Sequence, residues 1–335
     1  MRGHPIVSNF WSTLKGWPYM DNRNLTFPDF LGIGAQRAGT TWLSENLRQH
    51  PEIWMPPKKE LHYFNRFYSS APSLIIVDSL FLRLFGRQWD SRRWRRGVRG
   101  RLSKAWEERD WRRMRWELHF LFGRYGDEWY ASPFRAGKGK VTGEITPAYS
   151  ILSREDIEHI SGLMPEVKLV LMIRNPVDRA WSAIRFRRWR MTRRHRRKGE
   201  KAEISPLSIA ELESYFEAPE WIQRGDYVRT LNNWRSFFPE EQLFIGFFED
   251  IVHNPERLLI RLFDFLGVDS SQEYVTRLAF EQSNPSPKKK MPLEFRLYLT
   301  RRYYPQMKTL SEMLGGYAVL WRQEAEELLS RSVGQ

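Results

Sequence analysis

The chain has 335 residues, 41% of them hydrophobic, enough for one large α/β core or two ordinary ones, and disorder is excluded as its default state. It contains no cysteine, which excludes a disulfide framework, a thiolate nucleophile and any thiolate-held metal, and fits a reducing compartment. The formal net charge of +14 points to an anionic partner. That charge is concentrated: residues 66 to 120 carry 14 Lys/Arg against 6 Asp/Glu, and "RFRRWRMTRRHRRK" at 185 to 198 holds nine basic residues and no acid. The remainder is near neutral. The N-terminal "MRGHPIVSNFWSTLKGWPYM" has no apolar stretch of signal-peptide or membrane-span length, so the expected location is the cytoplasm.

In chain order, "FLGIG" at 30 to 34 reads as a short buried strand, and "TTWLSENLRQH" as a helix stopped by Pro51. Residues 66 to 120 fit a strand-helix alternation poorly and read as an inserted helical region, with Trp89, Trp94, Trp106, Trp111 and Trp116 among arginines. "VKLVLMIR" at 167 to 174 is a branched apolar strand, followed by a helix with Pro176 early in it. "DYVRTLNNWRSFF" reads as an amphipathic helix, "QLFIGFFE" as a strand, and "PERLLIRLFDFL" at 255 to 266 as a helix closed by Gly267. The segment 283 to 292, "SNPSPKKKMP", must be a loop, and the rest reads as helical. This alternation predicts an α/β fold: a mostly parallel sheet with helices on both faces, and a ligand at the C-terminal ends of the strands.

The chemistry-bearing stretch is "FLGIGAQRAGTTWL", a strand, a glycine turn and a helix start, where free N–H groups can cradle an anion. Gly34 and Gly39 have the spacing of the triphosphate-binding G-x-x-x-x-G-K-[ST], but Thr40 stands in the lysine position, which weakens a kinase or NTPase reading. The cation of this loop is Arg37, either solvated or an anion ligand. "IRNPVDRAWS" places Arg174 at a strand end and Ser182 on the next helix; they could grip a second phosphate, or Arg174 could be a structural ion-pair partner. Two separated anion sites suit a nucleotide bearing phosphates at two ends.

"GAQRAGTTWL" and "IRNPVDRAWSAI" together resemble the two nucleotide-binding motifs of the sulfotransferases that use 3'-phosphoadenosine 5'-phosphosulfate (PAPS), and the arrangement is closer to the heparan-sulfate-modifying and bacterial carbohydrate branch. The resemblance continues through "KKELHYF", "WYASPF", "GEITPAYS", "YVRTLNNWRSFFPEEQLFI" and "PERLLIRLFDFLGV", from about residue 28 to 325 apart from the basic insertion. It implies a single domain with a three-layer, P-loop-like core. PAPS is then the sulfuryl donor, adenosine 3',5'-bisphosphate the product, and no metal is required.

By position, the resemblance implies that Arg37, Ala38, Gly39, Thr40, Thr41 and Trp42 lie at the 5'-phosphosulfate, with Arg37 where most members have lysine. Trp42 lines the nucleotide or packs beneath the loop. Arg174 and Ser182 take the 3'-phosphate, and at least one of Lys288, Lys289 and Lys290 meets a phosphate from the basic loop. Glu60 matches the proposed base of the glycan branch; His62 is the alternative base, and an ion pair of Glu60 with Lys58 or Lys59 is the structural reading. Glu144, Thr146 and Tyr149 resemble an acceptor-side motif, with Ile145 in place of a frequent lysine.

The acceptor is open: a glycan, a lipid headgroup or another small hydroxyl or amine. For the Trp/Arg-rich insertion three readings stand: packing with a solvated basic face, an anionic membrane surface on the inner side or a lipid-linked acceptor, or a polyanionic glycan or nucleic acid. An ATP-dependent transferase and a nucleic-acid-binding protein are the competing classes. The first lacks the loop lysine, and the second leaves the paired anion sites unexplained.

Overall fold

The computed structural model describes residues 25–65, 84–85, 87, 89–122, 126–197, 207–281 and 290–333. Its centre is a five-stranded sheet of β1 (Phe30–Gly34), β2 (Ile53–Trp54), β3 (Val141–Ile145), β4 (Lys168–Ile173) and β5 (Leu243–Phe247), in the order β2-β3-β1-β4-β5. Every pairing is parallel, with Phe30 opposite both Gly143 and Lys168, and Leu169 opposite Leu243. β1 and β4 are buried almost throughout, as expected for parallel strands covered on both faces.

Parallel neighbours need crossovers, and helices supply them. Between the strands run α1 (Thr40–Leu47), α2 (Trp89–Glu107), α3 (Trp111–Phe122), α4 (Arg154–Leu163), α5 (Pro176–Arg197) and α6 (Tyr227–Arg235), and α7 (Pro255–Leu266), α8 (Leu293–Leu314) and α9 (Tyr317–Val333) follow β5, with shorter helices and turns among them. Local chemistry sets their ends. A capping box of Ser153 and Asp156 starts α4. α7 begins at Pro255, buries Leu258, Leu259, Leu262, Phe263 and Leu266 along one stripe, and stops at Gly267, whose φ of 79° is the left-handed form that glycine takes without penalty. Each leucine of that stripe contributes about 1.5–3 kcal/mol through burial.

The strands β1, β4 and β5 and the helices α6 and α7 fall where the sequence predicts them. β2 was not predicted. The basic run at 185 to 198, set apart in the sequence by its charge, is through Arg197 the second half of α5, one helix of 22 residues whose first turns are buried and whose last turns are largely exposed.

The inserted region is helical over its described part. Arg101 Nε donates to the buried Glu117 Oε2 at 2.8 Å, joining α2 to α3. Trp116 stacks on Phe120 and Phe120 meets Trp129, so this face is packed onto the domain. Trp106 and Trp111 are 64% and 59% exposed and meet edge to face at 5.4 Å. Trp89 and Trp94 lie outside the described side chains.

Candidate active site

Every described site residue singled out from the sequence except Glu144 and Lys290 lies in a segment that leaves the C-terminal end of a strand. The loop after β1 carries Arg37 to Gly39 and the start of α1 carries Thr40 to Trp42, the segment after β2 carries Glu60 and His62, β3 leads into Thr146 and Tyr149, and β4 leads into Arg174 and, along α5, Ser182. This edge flanks the topological switch around β1, where open parallel sheets bind ligands.

In the β1 loop Arg37 (φ 74°) and Gly39 (φ 86°) are both left-handed, and a backbone of this kind forms anion-binding concavities. The first N–H groups of α1 add donors with no partner inside the helix. Gly39 is required twice over: by its φ, and because a Cβ there would sit 2.3 Å from Ile251 Cδ1. Ala38 is fully buried, and Trp42 is 3% exposed with its indole N–H donating to the Ala279 carbonyl at 2.9 Å, so Trp42 packs beneath the loop.

The two anion elements adjoin. Arg37 Nε donates to Ser182 Oγ at 3.2 Å, and its guanidinium lies 4.4 Å from the Phe186 ring centroid. Burial, followed by the charges of Arg174 and Arg185, holds the Arg37 guanidinium below the ordinary arginine range. Arg174 lies 4.1 Å from the centroid of Phe248, beside Glu249. Glu249 Oε1 accepts from the Asn175 N–H at 3.1 Å and from the Trp321 indole at 3.0 Å. Burial pushes the Glu249 carboxyl up against these bonds. A cluster of three guanidiniums beside a hydroxyl fits a phosphate.

On the other side of the loop stands the β2 segment. Glu60 Oε2 is 3.1 Å from His62 Nε2, and Glu60 Oε1 is 3.6 Å from Lys59 Nζ. Burial pushes the Glu60 carboxyl up, but the His62 hydrogen bond and the Lys59 charge outweigh it and hold the group below the usual glutamate range. His62 has φ 57°, an uncommon backbone for a residue other than glycine, and its Nδ1 faces Asn65 Oδ1 at 3.3 Å. Such strain persists where surrounding contacts over-determine it.

Those contacts come from β3. Glu144 is fully buried; its Oε1 accepts from Tyr149 at 2.8 Å and Tyr130 at 3.0 Å, and its Oε2 from Thr146 at 2.6 Å and the Leu61 N–H at 3.1 Å. Thr146 Oγ1 also accepts from the N–H groups of Leu61 and His62, and the Tyr149 hydroxyl from that of Tyr63. Three consecutive amides beside Glu60 are thereby fixed. Glu144, Thr146 and Tyr149, expected on the acceptor side, are all 0% exposed, with their polar atoms engaged by protein partners. They sit behind the Glu60 segment rather than on a surface open to an acceptor. Burial pushes the Glu144 carboxyl up, partly offset by its four donors.

Sequence reasoning missed Lys59 and Arg185 as members of the site. Arg185 was legible, one helical turn beyond Ser182. Lys59 was weighed only as a partner of Glu60, yet its Nζ also lies 3.3 Å from Thr40 Oγ1 and 3.2 Å from Thr41 Oγ1. Lys288 and Lys289 lie outside the described residues, and Lys290 is exposed.

A small parallel sheet flanked by helices, with a glycine-containing loop of left-handed residues after its first strand and a cationic cluster after its fourth, is the architecture in which open α/β sheets bind ligands. The family model described as "Sulfotransferase domain" matches residues 27–301. The chain therefore belongs to the sulfotransferase domain family. It is 31% identical over 157 residues to mouse heparan sulfate glucosamine 3-O-sulfotransferase 3B1, covering 45% of this chain and 38% of that protein. With human heparan sulfate glucosamine 3-O-sulfotransferase 3A1 it shares 29% identity over 277 residues, which is 80% of this chain and 52% of the relative. The chain thus spans about two fifths to half the length of these two relatives. Among solved structures, a sulfotransferase from Alicyclobacillus acidocaldarius superposes with a TM-score of 0.57 at 23% identity, over 88% of this chain and 98% of that one, and shares the fold.

Proposed function

We propose that the protein is an enzyme that transfers the sulfuryl group of PAPS directly to a hydroxyl or amine, releasing adenosine 3',5'-bisphosphate. The observation that carries this reading is the junction of Arg37 with Ser182 at 3.2 Å, which joins the loop after β1 to the cluster after β4 in one site. A nucleotide with a phosphate on each side of its ribose suits that pair better than one with a single polyphosphate chain.

The donor would bring an electrophilic sulfur and a nucleotide phosphate as leaving group. Around it, the loop amides, Thr40 and Thr41 hold the 5' end, while Arg174, Arg185 and Ser182 hold the 3'-phosphate. Glu60, already ionised at neutral pH by its partners, takes the acceptor's proton, and His62 orients it. Glu144, Thr146 and Tyr149 keep that carboxylate in place through the backbone of Leu61 to Tyr63. The branch that modifies glycans is the one favoured for the acceptor, because the relatives named above act, by their names, on heparan sulfate glucosamine. The exposed basic turns of α5, which begin at Arg187 on the same helix as Ser182, suit an anionic sugar chain.

Calorimetric titration with adenosine 3',5'-bisphosphate, ADP and ATP tests the donor. Tight binding of the bisphosphate alone, weakened in Arg174→Ala, is the expected result. Equal binding of all three would return the protein to ATP-dependent chemistry or simple anion binding.

A further inference from the structure

The hairpin of α2 and α3 takes no part in the proposed transfer, and its outer surface has a pattern of its own. On α2 the exposed Arg92, Arg96, Arg99, Ser103 and Trp106 follow one another at steps of three and four residues, which sets them in one stripe. On α3 the exposed Trp111, Arg115, Leu118 and Phe122 do the same. Each stripe lies opposite the buried side of its helix, which holds Val98 and Ala105 in α2 and Trp116 and Phe120 in α3. The stripes meet at the turn, where Trp106 and Trp111 touch edge to face at 5.4 Å between ring centroids. Between the two tryptophans Arg109 has a φ of 51°, an uncommon backbone for a residue other than glycine.

We propose that this surface docks the protein on an anionic lipid bilayer, with the two tryptophans seated at headgroup level and the arginines of the stripes paired with lipid phosphates. Guanidiniums that meet phosphate, and indoles that straddle the boundary between headgroups and acyl chains, are the two components of interfacial binding. The carboxylates of the turn do not cancel this charge. Glu108 is paired with Lys104 at 3.6 Å and Arg113 at 3.1 Å, and Asp110 accepts from the Arg113 N–H at 2.9 Å, while Glu107 flanks Trp106. A sulfated sugar chain would satisfy the arginines, but Leu118 and Phe122 offer it no polar atom. An acyl layer takes the same two side chains out of water, so the pattern favours lipid.

The inner side of α3 links this surface to the candidate active site. The Phe120 ring centroid lies 4.6 Å from Lys58 Nζ, two residues before Glu60, and Phe120 also meets Trp129, which packs on Tyr63. The segment that carries Glu60 therefore stands one helix diameter, about 10 Å, behind the α3 stripe. Docking would bring that segment to the surface where a membrane-held acceptor is met. It needs no donor, so its test is separate from that of PAPS binding.

Co-sedimentation of the full chain with vesicles tests the proposal. Vesicles of phosphatidylcholine alone, and of three parts phosphatidylcholine to one of phosphatidylserine, are offered to wild type and to two double variants, Trp106→Ser with Trp111→Ser and Arg96→Glu with Arg99→Glu. Wild type is expected to prefer the vesicles with phosphatidylserine and to lose that preference as salt rises. Each double variant is expected to bind them about tenfold more weakly or worse, with a melting temperature equal to that of wild type. Brominated phosphatidylcholine, which quenches indoles inside the bilayer, should dim wild type more than the tryptophan variant, a signal that attraction by charge alone does not give. Arg193→Glu with Arg196→Glu, in the exposed turns of α5, should keep vesicle binding. Wild type that binds neither vesicle, hairpin variants that bind as wild type does, or a loss confined to the α5 variant would overturn the proposal. So would a tryptophan variant that keeps vesicle binding and loses affinity for a heparin oligosaccharide, which would assign the surface to a glycan.

Discussion

Glu144→Gln separates support of the base from contact with a substrate. The buried carboxylate accepts four hydrogen bonds, two at each oxygen. Glutamine keeps one oxygen, and its amide group is best accommodated toward Tyr130 and Tyr149, whose hydroxyl oxygens can accept, because the Leu61 N–H cannot. Two charge-assisted bonds are then replaced by weaker ones, at a cost of about 1–2 kcal/mol. Glu144→Ala leaves three hydroxyls without their acceptor in a closed space, a loss of about 3–5 kcal/mol. Urea unfolding at several pH values reads both variants. Burial raises the Glu144 pKa, so between the unfolded and folded values the native state binds the extra proton and stability falls as pH rises. Glutamine cannot titrate, so the wild type's stability advantage over Glu144→Gln should be larger at mildly acid pH and shrink toward neutrality. Turnover should fall with bisphosphate affinity intact. Unchanged stability and pH slope in Glu144→Gln would refute the view that this carboxylate anchors the segment, and a destabilised variant with full turnover would reduce the network to scaffolding.

Other outcomes follow from the same geometry. Arg174→Ala should lower affinity for adenosine 3',5'-bisphosphate about tenfold or more by calorimetry while leaving that for adenosine 5'-phosphosulfate little altered. Glu60→Gln should abolish most PAPS turnover without loss of nucleotide binding. In the wild type, because the Glu60 pKa lies below the ordinary glutamate range, its ionised form persists as pH falls and the acid limb of the rate profile appears only beneath that range. Gly39→Ala forces a left-handed alanine against Ile251 and should destabilise the fold by about 1–3 kcal/mol, read as a lower melting temperature, and weaken the bisphosphate further. Exchanging the exposed Trp106 and Trp111 for serine should leave unfolding free energy within about 0.5 kcal/mol of wild type.

The strands that flank the site were legible because burial on both faces writes them as continuous apolar runs: "FLGIG" and "VKLVLMI" have no other use in a chain of this charge. β2 left no such mark. It is a two-residue edge strand, Ile53–Trp54, created by its pairing with β3 and too short to show a period. The full length of α5 was not legible, since nine cations after Ile184 look like a solvated device, whereas a helix needs an apolar stripe only where it meets the core. In the site, residue types were readable but not directions. Nothing in "AQRAGTT" says that Arg37 takes a positive φ and turns toward Ser182 rather than along its own loop. The burial of Glu144 was likewise hidden, as its partners Tyr130 and Leu61 come from separate parts of the chain.

The distal turns of α5 remain coupled to its first ones. An α-helix rises 1.5 Å per residue, so Arg193 is held about 16 Å beyond Ser182 on an uninterrupted rod. A row of positive charge fixed at one end to the proposed donor site makes an electrostatic rail. Its influence on a negatively charged acceptor would appear in the rate of encounter, falling as ionic strength rises, more than in the strength with which the acceptor is finally held.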